Sequence, residues 1–396
     1  MTDALEKPDF IPFFLPSFSE AEEEAVIRVL RSGWLTTGKE ALAFEKEFAD
    51  FTGSPYALAV NSASSGLMLA MDALGVGPGT KILTTPYTFV STATSARHLG
   101  AEIAYADIER NSYNIDPEQI ETQLKNDSTI KAVVPVHIAG NVCRMDEIRE
   151  IARRYGAAVI EDAAHSFPSR TEKGFAGTLA DAGVFSFYAT KTITTGEGGM
   201  VCVKDEKTAA RIRLMRSHGI DRSIWDRYTS KQASWVYDVV EDGWKCNLPD
   251  ILAAIGRVQL AKADDFFRKR AAIAAEYSKA FSPCDFLTLP PDGEGNAWHL
   301  YPLRIVPEKL DIARDAFAQE LQEQGLGISV HFIPHFEMTY FKKRYNLSRE
   351  NFPEAANKYD TTISLPFWPD MTETMVSRVI QAVIATGERY YRRTSR

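Results

Sequence analysis

The chain is poor in three things. No apolar run approaches the roughly 18 residues that a membrane span needs. Only four of the 396 residues are cysteines, Cys143, Cys202, Cys246 and Cys284, lying far apart with no C-x-x-C spacing. Thiols so scattered read as buried and reduced, not as a disulfide framework. Basic residues are in deficit, with 45 Lys and Arg against 53 Asp and Glu, a net charge of −8. That balance argues against a nucleic-acid partner or an anionic membrane surface. The opening residues, Met1 to Pro8, are polar and acidic and have neither the basic nor the apolar region of a secretory leader. The expected location is the cytoplasm.

Several catalytic signatures are missing as well. Gly75-Val-Gly77-Pro-Gly79-Thr-Lys81 is glycine-rich but has neither the Walker nor the dinucleotide spacing, and it reads as the turn that ends a helix. His331 and His335 stand four apart, yet Pro334 opposes a helix and no glutamate follows His331, so a zinc-protease site is excluded. No G-x-S-x-G elbow accompanies the serines. There is no internal repeat or low-complexity tract.

What is present is an α/β pattern. Hydrophobic content of 45% and 25% charged residues suit a globular chain, and the length suits two packed lobes. Short apolar strands are predicted at Ala57–Asn61, Lys81–Thr85, Glu102–Asp107, Lys131–His137, Ala157–Asp162, Val184–Tyr188 and Met200–Val203. Helices are predicted at Ser65–Leu74, Pro117–Leu124 and Met145–Tyr155, with Asp116-Pro117 as a capping start. This alternation predicts a largely parallel sheet covered on both faces. After His218 the pattern is irregular to about Cys246, a length that suits a functional loop. Pro249 then opens one long helix to about Phe281, and strands at Leu300–Val306 and Ile328–Phe332 suggest a small α/β lobe. The expected division is an N-terminal arm and first helix (1–30), a large domain (31–250), and a linker helix with a small C-terminal domain (251–396).

Lys191 follows the aromatic strand at Val184–Tyr188 and precedes the turn Gly196-Glu-Gly-Gly199. An amine held at a strand end and partly desolvated can lose its proton and attack a carbonyl. Asp162 ends the apolar strand Ala157–Asp162, and a carboxylate there can keep a pyridine nitrogen protonated, each pKa unit being worth about 1.4 kcal/mol. Asn61-Ser62-Ala63-Ser64-Ser65 reads as a strand end, a hydroxyl-rich loop and a helix start, which suits a phosphate ester. The three together point to pyridoxal 5'-phosphate (PLP), with Lys191 as its Schiff-base lysine.

The chain resembles the DegT/StrS-type PLP-dependent nucleotide-sugar aminotransferases from about Ile11 to the C-terminal helix. The resemblance is carried by Gly33-Trp-Leu-Thr-Thr-Gly38, Asn61 to Ser65, Pro86-Tyr-Thr-Phe89-Val, Glu161 to His165 and Phe185 to Gly199, and further on by Asn247-Leu-Pro-Asp250, Ala297-Trp-His-Leu300 and Val330 to Pro334. It implies the aspartate aminotransferase-like fold of PLP fold-type I, with PLP and its pyridoxamine form as cofactor, L-glutamate as donor and a nucleotide-linked keto-sugar, UDP-linked, as acceptor. It also implies a homodimer with shared sites. By this resemblance Ala63, Ser64 and Ser186 contact the cofactor phosphate, Phe89 stacks on its ring, Asp162 meets the ring nitrogen and His165 lies near the ring oxygen. Asn247 would reach the phosphate of the neighbouring subunit's cofactor. Read without the resemblance, Phe89 also fits a buried helix start, and Asn247 a helix-capping asparagine. Thr37, His331 and His335 are the expected substrate contacts.

His218-Gly-Ile, Trp225-Asp-Arg227 and Asn247 to Asp250 look most like the UDP-4-keto-pentose aminotransferases of lipid A modification. At Ile333, where those enzymes carry an arginine, the chain instead resembles the wider family that serves 3-keto and 4-keto hexoses. The product would be an amino sugar for lipopolysaccharide or another envelope polysaccharide. Three rivals stand beside this reading. A PMP-dependent sugar dehydratase of the same fold would carry histidine where this chain has Lys191. A PLP-binding sensor would keep the pocket and turn nothing over. A nicotinamide-dependent dehydrogenase would need a glycine fingerprint that Asn61–Ser65 lacks.

Overall fold

The computed structural model describes residues 10–221 and 236–392. Met1–Pro8 and Trp225-Asp-Arg227 lie outside the described residues. The main sheet has seven strands in the order β1-β9-β8-β5-β4-β2-β3. They are β1 (Tyr56–Val60), β2 (Lys81–Thr84), β3 (Glu102–Tyr105), β4 (Ile130–Val133), β5 (Ala158–Asp162), β8 (Ala182–Ser186) and β9 (Gly199–Val203). Between β5 and β8 the chain makes a short ribbon of β6 (Arg170–Thr171) and β7 (Gly174–Phe175). All neighbours from β3 to β8 are parallel, and only β9 runs against both of its partners. The sheet is therefore largely parallel, as the alternating pattern predicted.

Residues alternate between the faces of each strand, and this sorts the core. Leu58, Ile82, Ile160 and Val184 pack on one face with the helices α3 and α7. The other face carries Val133 and Val159 under α5 and α6, and Phe185 beneath α2. These helices are α1 (Glu20–Ser32), α2 (Lys39–Thr52), α3 (Ala63–Ala73), α4 (Val90–His98), α5 (Pro117–Asn126), α6 (Met145–Tyr155) and α7 (Glu206–Met215). Gly66 lets α3 sit close against the sheet, since a Cβ there would lie 2.7 Å from Val184 Cγ1. The N-terminus of α3 is thereby set at the ends of β1 and β8.

Two predicted elements differ. The helix from Pro249 to Phe281 is two, α8 (Asp250–Ala261) and α9 (Ala263–Phe281), meeting at Lys262. Lys262 Nζ is tied 2.7 Å from both Ser19 Oγ and Glu22 Oε1 at the start of α1. The break lets Ala254 of α8 pack with Ala25 and Val29 of α1, while Ile273, Tyr277 and Phe281 of α9 enter the C-terminal core. The predicted strand Ile328–Phe332 is a single bridge from Ser329 to Ser364. His331 there binds Ser364 Oγ through Nδ1 at 2.9 Å, and its carbonyl accepts from Tyr87 Oη at 2.9 Å, so side-chain contacts replace the ladder. The C-terminal core is built on the antiparallel sheet β10 (Leu287–Thr288), β11 (Pro302–Ile305) and β12 (Thr362–Ser364). Among the described residues no helix is long and apolar enough to cross a membrane.

Adjacent residues at the end of β5 show how the sheet divides its labour. Glu161 is fully buried on the side of Val159 and accepts N–H bonds from Gly177 (2.8 Å), Leu179 (2.7 Å) and Ala180 (2.7 Å), and it meets His137 Nε2 at 2.9 Å. It anchors the crossover that returns to β8. Asp162, one residue on, points to the face of α3 and α4, where its carboxylate bonds Thr92 of α4. Glu161→Ala would strand these donors in the interior and should lower unfolding free energy by about 3–5 kcal/mol. Urea titration of the two proteins checks this; a loss under 1 kcal/mol would contradict it.

Candidate active site

A cavity of about 440 Å³ opens at the ends of β5 and β8, on the face that α3 and α4 cover. Asp162 lies at its base, almost wholly buried. Its Oδ2 accepts from Thr92 Oγ1 at 2.8 Å and its Oδ1 from the Ala164 N–H at 3.2 Å. Burial pushes this carboxyl above the usual range, against the two hydrogen bonds and the charge of Lys191. The bonds fix the carboxylate's orientation while leaving it to face a group in the cavity.

Lys191 enters from the loop after β8. Its N–H donates to the Tyr188 carbonyl at 2.9 Å, closing a turn. The threonines of that loop act structurally: Thr192 Oγ1 donates to the Phe167 carbonyl and Thr194 Oγ1 to that of Phe187 at 3.0 Å. A hydroxyl-rich loop is thus a held loop, and its lysine is aimed. Burial drives the Lys191 ammonium down to about 8, with Asp162 opposing the fall. Ser186, the last residue of β8, lines the same cavity.

The third wall is the start of α3. Ser62 caps the helix, its Oγ accepting the Ser65 N–H at 3.2 Å and lying 2.6 Å from Ser65 Oγ. Asn61 Oδ1 holds the same Ser65 hydroxyl. With Ser62 and Ser65 so committed, Ala63 and Ser64 occupy the first two helical positions, whose N–H groups have no carbonyl inside the helix to meet. Both line the cavity. At Gly199 a Cβ would stand 2.9 Å from the Ala63 nitrogen, so glycine is what keeps this approach open. An anion fits such a helix start.

Rings complete the enclosure. Phe89, 56% exposed, caps the start of α4 and faces the cavity, so it is not the buried helix start that the Thr-Phe-Val pattern also allowed. His165 stacks on Phe332 with centroids 5.3 Å apart and lies 4.3 Å from the ring of His299. Burial, then the charge of Lys191, lowers His331 to about 4. His165 and His299 are held low as well, by burial first and then by neighbouring cations. All three imidazoles are neutral near pH 7.

The structure thus brings Ala63, Ser64, Phe89, Asp162, His165, Ser186, Lys191 and His331 around one cavity. His335 requires correction as a cleft residue. It is fully buried, stacked on Phe341 at 4.1 Å with Nδ1 3.0 Å from Tyr105 Oη, because Pro334 and the short turn after it direct the chain inward. Thr37 and Asn247 also stand outside the cavity walls. Thr37 Oγ1 donates to the Leu248 carbonyl at 2.6 Å and accepts from Asn247 Nδ2. Three contributors were missed. Thr92 lies one helical turn after Phe89, a spacing that would have pointed it to the same side. Tyr188, two residues beyond β8, lines the cavity and accepts the Lys191 N–H through its carbonyl. His299 was within a recognised stretch, but only tertiary contact reveals its place.

The fit to PLP can be judged from these groups: an amine that sheds its proton readily, a buried carboxylate on the same cavity, and free helix-start N–H groups beside Gly199. They fit. A profile described as the DegT/DnrJ/EryC1/StrS aminotransferase family matches residues 16–384. The spore coat polysaccharide biosynthesis protein SpsC of Bacillus subtilis (strain 168) is 42% identical over 377 residues, 94% of this chain and 96% of that protein. Among solved structures, Spr1654 of Streptococcus pneumoniae, in its PMP form, superposes with a TM-score of 0.88 at 28% identity, covering 96% of this chain and 99% of that one. Helicobacter pylori PseC, an aminotransferase involved in the biosynthesis of pseudoaminic acid, gives 0.88 at 27% identity, covering 96% and 100%.

The low Lys191 value has a directional consequence. The reactive form is the neutral amine, so its population rises through the folded pKa and saturates above it. In cofactor-free protein, modification of Lys191 by a neutral acylating reagent should follow pH with a midpoint near 8, against about 10.4 for an ordinary lysine. Peptide mass spectrometry resolves the residue; a midpoint of 10 or more would contradict the assigned burial.

Proposed function

Because the chain belongs to the DegT/DnrJ/EryC1/StrS aminotransferase family and is a PLP-dependent sugar aminotransferase, we propose that it transfers the amino group of L-glutamate to the ketone of a UDP-linked keto-sugar. The observation that carries the reading is the convergence of Lys191 and Asp162 on one cavity beneath the start of α3. Ala63, Ser64 and Ser186 would hold the cofactor phosphate, Phe89 would cover one side of its ring, and His165 would meet the ring oxygen. PLP, when bound, supplies an electron sink for the carbon that gives up its proton.

The protein groups supply the rest. Asp162, oriented by Thr92, keeps the ring nitrogen protonated. Lys191 Nζ takes the proton from Cα of glutamate and later returns one to the sugar carbon, so one amine serves as base and as acid. The products are 2-oxoglutarate and an amino sugar. The neutral imidazole of His331 faces the cavity and would accept or donate a hydrogen bond to a sugar hydroxyl without attracting a counter-ion.

Asn247 and Thr37 belong, on this reading, to the cavity of a second subunit in a homodimer. Asn247 Oδ1 is buried and has no hydrogen-bond partner among the described residues, and the side chain does not reach the cavity of its own chain. An N-terminal arm and first helix (1–30) would precede a large domain (31–250) and a linker helix with a small C-terminal domain (251–396), α9 leading into the C-terminal core. The name of SpsC supports a role in polysaccharide biosynthesis.

The visible spectrum of the purified protein with PLP tests the reading. L-Glutamate should bleach the band of bound PLP, and a UDP-linked keto-sugar should restore it. Lys191→Ala should slow bleaching by about 10²–10⁴-fold, and Asp162→Asn should slow it while PLP stays bound. A parent band indifferent to glutamate would remove glutamate as donor. A bleached band that no nucleotide-linked keto-sugar restores would remove the acceptor class.

A further inference from the structure

Arg270 on α9 is only 1% exposed, and no carboxylate among the described residues forms an ion pair with it. Its Nη1 donates to the carbonyls of Trp298 and His299, each at 3.2 Å. Its Nε and Nη2 have no partner among the described residues, and its guanidinium lies 5.5 Å from the centre of the Phe367 ring. Burial drives even this group down, to about 9. An uncompensated cation in the interior is costly, and a leucine or methionine would fill the space without that cost. The guanidinium therefore needs a reason beyond packing.

The two carbonyls it grips flank a strained turn. Trp298 has φ 48°, a left-handed conformation that bulky side chains avoid. Opposite it lies a second such residue, Ala139, with φ 59°. The turns are locked together: the His299 N–H donates to the Ala139 carbonyl at 2.9 Å. They approach so closely that a Cβ on Gly140 would lie 2.8 Å from the Trp298 nitrogen. The Ala139 N–H, in turn, donates to His165 Nδ1 at 3.4 Å. An Nδ1 that accepts leaves the proton of a neutral imidazole on Nε2.

We propose that Arg270 is a positioning residue: by clamping the Trp298–His299 turn against Ala139 it makes the Ala139 N–H hold His165 Nδ1, so that His165 presents Nε2–H to the cavity. Given the reading above, that N–H is a donor for the ring oxygen of the cofactor. His165 is faced by His299, Phe332, Lys191 and His331, and His299 by His165, Lys191, Arg270 and His331. Burial and every nearby cation act in one direction and keep both rings neutral, so the tautomer, not the charge, is what the clamp decides.

Two-bond ¹H–¹⁵N spectra of cofactor-free, ¹⁵N-histidine-labelled protein read that tautomer directly, with His165→Gln assigning the resonance. The parent should show a single Nε2–H form of His165 at pH 7. Arg270→Met should give a mixture of His165 tautomers, together with PLP binding weakened at least tenfold. A folded Arg270→Met that keeps the single tautomer and the parent's PLP affinity, losing only thermal stability, would overturn the proposal. If that variant does not fold, Arg270→Lys decides. It keeps the charge on a shorter side chain without the rigid guanidinium plane, so the same losses are expected in smaller degree, and parent-like spectra and affinity would overturn the clamp. A parent that binds no PLP, while its Arg270 variants show the predicted tautomer change, would instead count against the cofactor reading alone.

Discussion

An amine and a carboxylate of opposite charge share one desolvated cavity in this protein without cancelling each other, and the surrounding fold is arranged to keep them so. In a buried setting two such groups attract strongly and would otherwise collapse into an ion pair. Asp162 is held back because Thr92 and the Ala164 N–H occupy its oxygens, one from α4 and one from its own turn. Lys191 is aimed by a loop whose threonine hydroxyls are tied to the carbonyls of Phe167 and Phe187. Each charge therefore remains available to a ligand. Burial also raises the carboxyl above its usual range and lowers the amine below its own, each against the pull of the other charge.

Positioning at this site is largely a matter of which face a residue takes. Val159 and Glu161 look one way from β5, Ile160 and Asp162 the other, and Ser186 of β8 lies on the same side as Asp162. The structural acid Glu161 is spent on three backbone donors and His137, and that bonding stiffens the strand end that carries its neighbour. Behind the opposite wall, the left-handed turns at Ala139 and Trp298 bring His165 and His299 into ring contact. The cavity is thus gripped from the sheet on one side and from α9 on the other.

The split of the long helix at Lys262 joins these two halves. One long helix from Pro249 to about Phe281 was expected because periodicity reports a buried stripe but not what covers it. The tie from Lys262 to Glu22 and Ser19 lies more than 200 positions away in sequence, outside any local window. The same limit explains His335. It was expected beside His331 as a substrate contact, yet the chain turns at Pro334 and buries it against Phe341.

Local chemistry was sufficient for the main conclusions. Strand alternation, the hydroxyl-rich stretch Asn61–Ser65 before a helix, the acid ending β5 and the lysine before a glycine-rich turn are short-range features, and each was legible because hydrogen-bond geometry and side-chain periodicity act over a few residues. They determined an α/β sheet with a hydroxyl-rich helix start, a carboxylate and an amine at its strand ends. Tertiary structure decided what spacing cannot encode. It showed that Thr92 orients Asp162, that His299 stands against His165, that Arg270 lies unneutralised behind them, and that Thr37 and Asn247 turn away from the cavity of their own chain. These depend on contacts between segments brought together only when the cores close, and on the desolvation that closure imposes.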